Sequence, residues 1–222
     1  VPQLIVPFVS ITCGFLVSLL VVKFGKIDSV HKGIFSSAFT CSNNMFIGVP
    51  VALSLFGEQA LIPTLFYFFA NTTFFWTIGN FLEARDGALV SHAPLKPLFS
   101  WESLRRVFSP PFCGFLTALF CVIINWRPPE FIMTSAKYMG GITSPLALIF
   151  IGLMLYRIGI RNIRFNRDLS WVFAGRFLVS PLICLGLSLL FPISPEFAKV
   201  YVIQAALPCI TQIAVLAKFH HA

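Results

Sequence analysis

Apolar residues in this chain do not alternate with polar ones residue by residue, as a membrane barrel strand requires. They run on in blocks of about 20, the length a helix needs to cross a hydrocarbon core of roughly 30 Å. Blocks at 3–22, 33–56, 61–82, 108–126, 131–156, 169–191 and 197–219 predict seven membrane-spanning helices. Two of these blocks are spoiled at the centre. The stretch AFTCSNNMFIGVPVALSLFG, residues 38–57, sets Thr40, Cys41, Ser42, Asn43 and Asn44 in an unbroken polar run and follows it with Gly48 and Pro50. The last block, YVIQAALPCITQIAVLAKF, does the same with Gln204, Pro208, Thr211 and Gln212.

An amide in hydrocarbon is costly unless it is hydrogen-bonded, and Pro50 both lacks a backbone donor and crowds the carbonyl of Phe46 four residues earlier. Irregular backbone at membrane depth survives only where it is buried in protein or lines a watery cavity. Taken singly, such residues are equally at home as glue between helices and as a simple kink. Their recurrence says more. Each spoiled block follows a proline-bearing one, VPFVSITCGFLVSLLV with Pro7 and FLVSPLICLGLSLLF with Pro181. The same order appears twice, separated by an odd number of spans, so the two copies are predicted to lie upside down relative to each other. Interrupted helices at matching positions of two halves point to an inverted-repeat carrier with its site at the midplane. The division expected is 1–82 for part of a first repeat, 83–107 for a cytoplasmic loop between repeats, and 108–222 for part of a second.

Composition agrees with the pattern. Residues are 57% hydrophobic and 11% charged, with 26 Phe, against roughly 25% charged in a soluble domain, which excludes a water-soluble fold. The net charge of +8 suggests nucleic acid until its distribution is read. Lys23, Lys26, Lys32, Arg85, Lys96, Arg105, Arg106, Arg157, Arg161, Arg164, Arg167 and Lys218 fall on one side of the predicted membrane; only Arg127, Lys137 and Lys199 fall on the other. That is the positive-inside asymmetry, with the start outside and the end inside, and nucleic acid is not an expected partner. Six cysteines without paired spacing indicate neither a disulfide frame nor a metal site. No cofactor is expected.

Freed amide donors at a crossing favour an anion, and freed carbonyls a cation or proton. Every acidic residue, Glu83 and Asp86 included, is expected at a span end or in a loop, which favours a carboxylate-type substrate and leaves no proton-relay acid. Arg176 reads either as an anion attractor or as a cation snorkelling to the headgroups. In FFANTTFFW, residues 68–76, Asn71, Thr72 and Thr73 either face a pore or tie helices together.

At these residues the sequence resembles the auxin efflux carrier family, including bacterial members labelled malate permeases or malonate carriers. The resemblance rests on NNMFIGVPVALSLFGEQAL, TSPLALIFIGLMLY and QAALPCITQIAVLAKF. It implies an all-α, inverted-repeat transporter bundle of ten spans in which helices four and nine are broken and cross at the substrate site. These 222 residues would then be helices three to nine, part of a longer protein. By position, Asn43 matches the family's crossing-point Asn, Pro50 closes that motif, and Pro208 matches the crossing proline of the second half. With Asn44, Gly48, Thr211 and Gln212 they form the expected substrate-binding set. Ile210, Thr211 and Gln212 depart from the plant pattern, which argues against an indole substrate, and the short, bacterial-looking loop between the halves favours a small dicarboxylate such as malate or malonate or a related organic acid. Expected partners are that anion, the lipid bilayer, a coupled proton or sodium ion, and a second copy in a homodimer.

Two other classes share some of these features without their signatures. A seven-helix receptor shares the span count and orientation, but the chain lacks Asp-Arg-Tyr after VVKFGK, Asn-Pro-x-x-Tyr in the last span, and a cysteine pair in the outer loops. An intramembrane enzyme would need a Ser/His pair, His-Glu-x-x-His or facing aspartates, and none is present.

Overall fold

The computed structural model describes residues 2–91, 110–159 and 165–220. The chain divides into two compact units, residues 1–98 with 165–222, and residues 99–164. The larger unit joins the first and last helices of the chain, which pack together.

In the larger unit α1 spans Pro2–Phe24. The second predicted span is two pieces, α2 (Lys32–Thr40) and α3 (Asn44–Phe56), with Cys41, Ser42 and Asn43 between them. Helix α4 runs over Glu58–Val90. Its last turns lie beyond the expected end at residue 82, and they carry Glu83 and Asp86, both buried rather than in a loop. The rest of the expected inter-repeat loop, 92–107, lies outside the described residues, as do Arg161 and Arg164. The smaller unit holds α5 (Pro110–Ile123) and α6 (Glu130–Ile158, with Pro145 inside). In the larger unit again, α7 spans Arg167–Leu190, and the last predicted span is also split, into α8 (Pro195–Ala205) and α9 (Gln212–His220).

All regular structure among the described residues is helical. Three helices there are long and apolar enough to cross a membrane: Gln3–Phe24, Glu58–Val90 and Arg167–Leu190. Their solvent preference is inverted relative to a protein in water. Leu189 and Leu190 are each 80% exposed while Gln204 and Glu83 are fully buried, as befits a surface whose solvent is lipid.

Prolines explain where the helices loosen. Asn44–Gly48 at the start of α3 and Gly175–Val179 in α7 are wide π-type turns. Pro50 and Pro181 each follow two residues later, so the carbonyl that each ring would strike, Phe46 or Phe177, lies inside the widened turn. A proline that would break a regular helix is thereby accommodated, since the extra residue relieves the clash. A third wide turn, Phe75–Gly79 in α4, has no such proline.

Helix α1 packs against α2, α4 and α7; α8 packs against α4 and α7; α9 packs against α2 and the last turns of α4. A core of Val6, Ile11, Tyr67, Phe75, Cys184 and Tyr201 fills the space between them. Both interrupted helices are thus held within the unit that contains the site.

Candidate functional site: where two interrupted helices cross

The two unwound stretches pair with each other like strands of a minimal antiparallel ribbon. The Asn43 amide donates to the Pro208 carbonyl at 2.9 Å, and the Ile210 amide donates to the Cys41 carbonyl at 3.1 Å, with Ser42 opposite Cys209. Backbone groups that lost helical partners at each break find them in the other break, which is how irregular backbone can persist in an apolar surrounding.

Side chains complete the accounting. Asn43 caps α3 by accepting from the Phe46 amide at 3.3 Å, and its Nδ2 donates to Thr211 Oγ1 at 2.8 Å. Asn44 Nδ2 donates to Gln204 Oε1 at 2.9 Å, and Gln204 Nε2 donates to the Gly48 carbonyl and to Thr64 Oγ1, both at 3.1 Å. Asn71, from α4, grips Ser42 from both sides: its Oδ1 accepts from the Ser42 amide at 3.0 Å and its Nδ2 donates to the Ser42 carbonyl at 2.9 Å. Gly48 is needed for the close approach, because a Cβ there would stand 2.2 Å from Gln204 Oε1 and 2.7 Å from Leu207 Cδ1.

Arg176 sits in the wide turn of α7 and is 1% exposed, so it does not snorkel to the membrane surface. Nε donates to the Leu207 carbonyl at 3.0 Å, Nη1 to those of Thr40 (2.6 Å) and Phe39 (3.4 Å), and Nη2 to those of Ala205 (2.8 Å) and Leu207 (2.9 Å). These five contacts use the whole donor capacity of a guanidinium. The carbonyls of Phe39 and Thr40 end α2 and that of Ala205 ends α8, where helix dipoles leave partial negative charge, and that of Leu207 follows in the break. Gly175 permits the arrangement, since a Cβ there would meet the Phe39 ring at 2.4 Å. At its other end α2 meets a carboxylate: Asp86 Oδ2 accepts from the amides of Gly33 (2.6 Å) and Ile34 (2.9 Å).

Of the residues expected from the sequence, Asn43, Asn44, Gly48, Pro208 and Thr211 come together at the crossing. Pro50 lies beyond the wide turn with its side chain exposed, shaping the break without touching the network. Gln212 starts α9, and its Oε1 is buried without a hydrogen-bond partner among the described residues. Sequence reasoning left out of the set Gln204, Asn71 and Arg176, whose signal was a polar side chain inside an apolar block. Of these, Asn71 ties helices together. The crossing is therefore built from amides, hydroxyls and one guanidinium, with no carboxylate among the side chains described there.

Residues 2–220 match a family described as membrane transport protein. An uncharacterized transporter of Methanothermobacter thermautotrophicus is 29% identical over 222 residues, covering 96% of this chain and 68% of the relative. An uncharacterized transporter of Methanocaldococcus jannaschii is 25% identical over 209 residues, covering 91% of this chain and 65% of the relative. The chain thus spans about two thirds of the length of these relatives.

Proposed function

Since this chain belongs to the membrane transport protein family, that of the auxin efflux carriers, we propose that it is a secondary carrier of small organic anions. It is a multi-pass membrane protein whose family consists of transporters; the substrate class, mechanism and site are the proposal. A dicarboxylate such as malate or malonate binds at the crossing and is moved across the cell membrane by alternating access, one bundle rocking against the other. The seven crossings, their inverted repeat and the positive-inside orientation belong to the same reading.

The observation that carries it is the crossing itself. Two interrupted helices pair backbone to backbone beside a buried guanidinium, and the network offers hydrogen-bond donors without a competing carboxylate. A fixed positive charge in a low-dielectric surrounding favours a negative solute far more than it would in water. The helices α3 and α9 both begin at the crossing, so their positive dipole ends are available to the same solute. Asn43, Thr211 and Gln212 are the side chains assigned to the anion; Asn44, Gly48, Pro50 and Pro208 shape the backbone around it.

The test is uptake of radiolabelled malate and malonate by the full-length protein in liposomes. Asn43→Ala is expected to abolish uptake while inserting into the membrane at the normal level. Undiminished uptake by that variant would rule out the crossing as the binding site.

A further inference from the structure

A second group of buried polar side chains lies away from the backbone crossing. Glu83, in the last turns of α4, is completely buried, and neither of its carboxyl oxygens has a hydrogen-bond partner among the described residues. Asp86 lies one turn further along the same face, with Oδ2 held by the first amides of α2 and Oδ1 unpartnered. The Ser37 hydroxyl of α2 faces Glu83, and Ser37 Oγ makes no well-formed hydrogen bond to any other group among the described residues.

Helices α2 and α9 pack on this part of α4. From α2 the charged or titratable groups nearby are Lys32 at its start, His31 before it, and the Cys41 thiol at its far end; α9 carries Lys218 and His220; on α4 itself Arg85 is exposed. None of the described side chains forms an ion pair with Glu83. An ionised carboxylate that faces, among the described side chains, only the Ser37 hydroxyl and no counter-ion, with a second carboxylate on the same helix face, is a costly arrangement, whereas a neutral acid in the same place is not.

We propose that Glu83 is the proton-binding group of this carrier, holding a proton in the closed packing seen here and giving it up when α2 parts from α4. The inference rests on the transport reading above and adds its coupling ion. One proton passes from water on one side to a carboxylate oxygen and later to water on the other; no other bond changes. The link to the crossing is mechanical. Ser37 sits in α2, and its carbonyl accepts from the Cys41 amide at 2.8 Å, one residue before Ser42 enters the crossing. Ionised Glu83 demands water or a donor, so charge there favours an opened α2 and neutrality a closed one. A proton carried with a dicarboxylate also offsets one of its charges.

Two measurements on the full-length protein test this. First, infrared difference spectra across a pH titration are expected to show a protonated carboxylic acid band that vanishes in Glu83→Gln and persists in Asp86→Asn. A wild-type spectrum without that band, or a band unchanged in Glu83→Gln, overturns the assignment. Second, in proteoliposomes a gradient of one pH unit, worth a factor of about ten for one coupled proton, is expected to drive accumulation of labelled malate or malonate. The isosteric Glu83→Gln, checked for a wild-type elution profile, is expected to lose that factor; accumulation equal to wild type overturns the proposal. If wild type carries neither acid yet shows the band, the organic-anion reading fails while the proton site is supported.

Discussion

The two breaks solve one problem by different means. The first is three residues long, Cys41 to Asn43, and recovers at once into a wide turn; it is clamped by Asn71 on both sides of Ser42 and capped by its own Asn43. The second runs from Ala206 to Thr211 and brings little of its own. Its Leu207 carbonyl and that of Ala205 just before it accept from Arg176, and Thr211 within it and Gln204 in the last turn of α8 hydrogen-bond to the first break. The first break is therefore anchored to the neighbouring helix α4, whereas the second hangs on a cation and on the first. A rearrangement that opens the site is expected to move the second break against the first.

That contrast can be broken most severely at Arg176. Replacing it with Lys keeps the charge but not the planar fork, so one ammonium cannot reach the carbonyls of both half-helices. Loss of more than about 3 kcal/mol is expected, because several buried carbonyls are left unpaired at about 1–3 kcal/mol each; thermal unfolding in detergent measures it. Next comes Gly48→Ala, whose methyl would intrude on Gln204 and Leu207. A destabilisation of about 1–3 kcal/mol is expected from such overpacking, and a melting temperature equal to wild type would show that the second break yields without cost. The smallest effect on stability belongs to Gln212→Leu. Because Gln212 Oε1 has no protein partner among the described residues, its removal is expected to alter the preference among malate, malonate and monocarboxylates in uptake competition while leaving the melting temperature within about 1 kcal/mol of wild type. Equal loss of both would make it a structural residue.

The breaks were legible because proline and glycine act locally. Pro50 and Pro208 mark both interruptions, and among the described residues the helix bounds fall close to the apolar blocks except at the end of α4, which runs on to Val90. The partners of those breaks were not legible, since Asn44 meets Gln204 across 160 positions and Arg176 meets Thr40 across 136. Arg176 stands near the start of an apolar block, where a long cationic side chain ordinarily reaches the headgroups; what distinguishes it is the pair of carbonyl-rich helix ends that the fold carries to it. Glu83 and Asp86 read in the sequence as markers of a helix end, because charge accumulates there. The sequence FLEARDG contains their three-residue spacing, which puts them on one face, but nothing in it says that α2 and α9 cover that face.

Helix α2 has an acid fastened to its first amides and a guanidinium fastened to its last carbonyls, and these two side chains come from different helices. Sliding the rod lengthwise by one residue, about 1.5 Å, would stretch the contacts at one tip and crowd those at the other, whichever way it slid. A strut pinned at each tip in this manner resists sliding either way, and swinging it about one pin costs the hydrogen bonds at the other, so the arm that leads into the crossing is held in register from both ends.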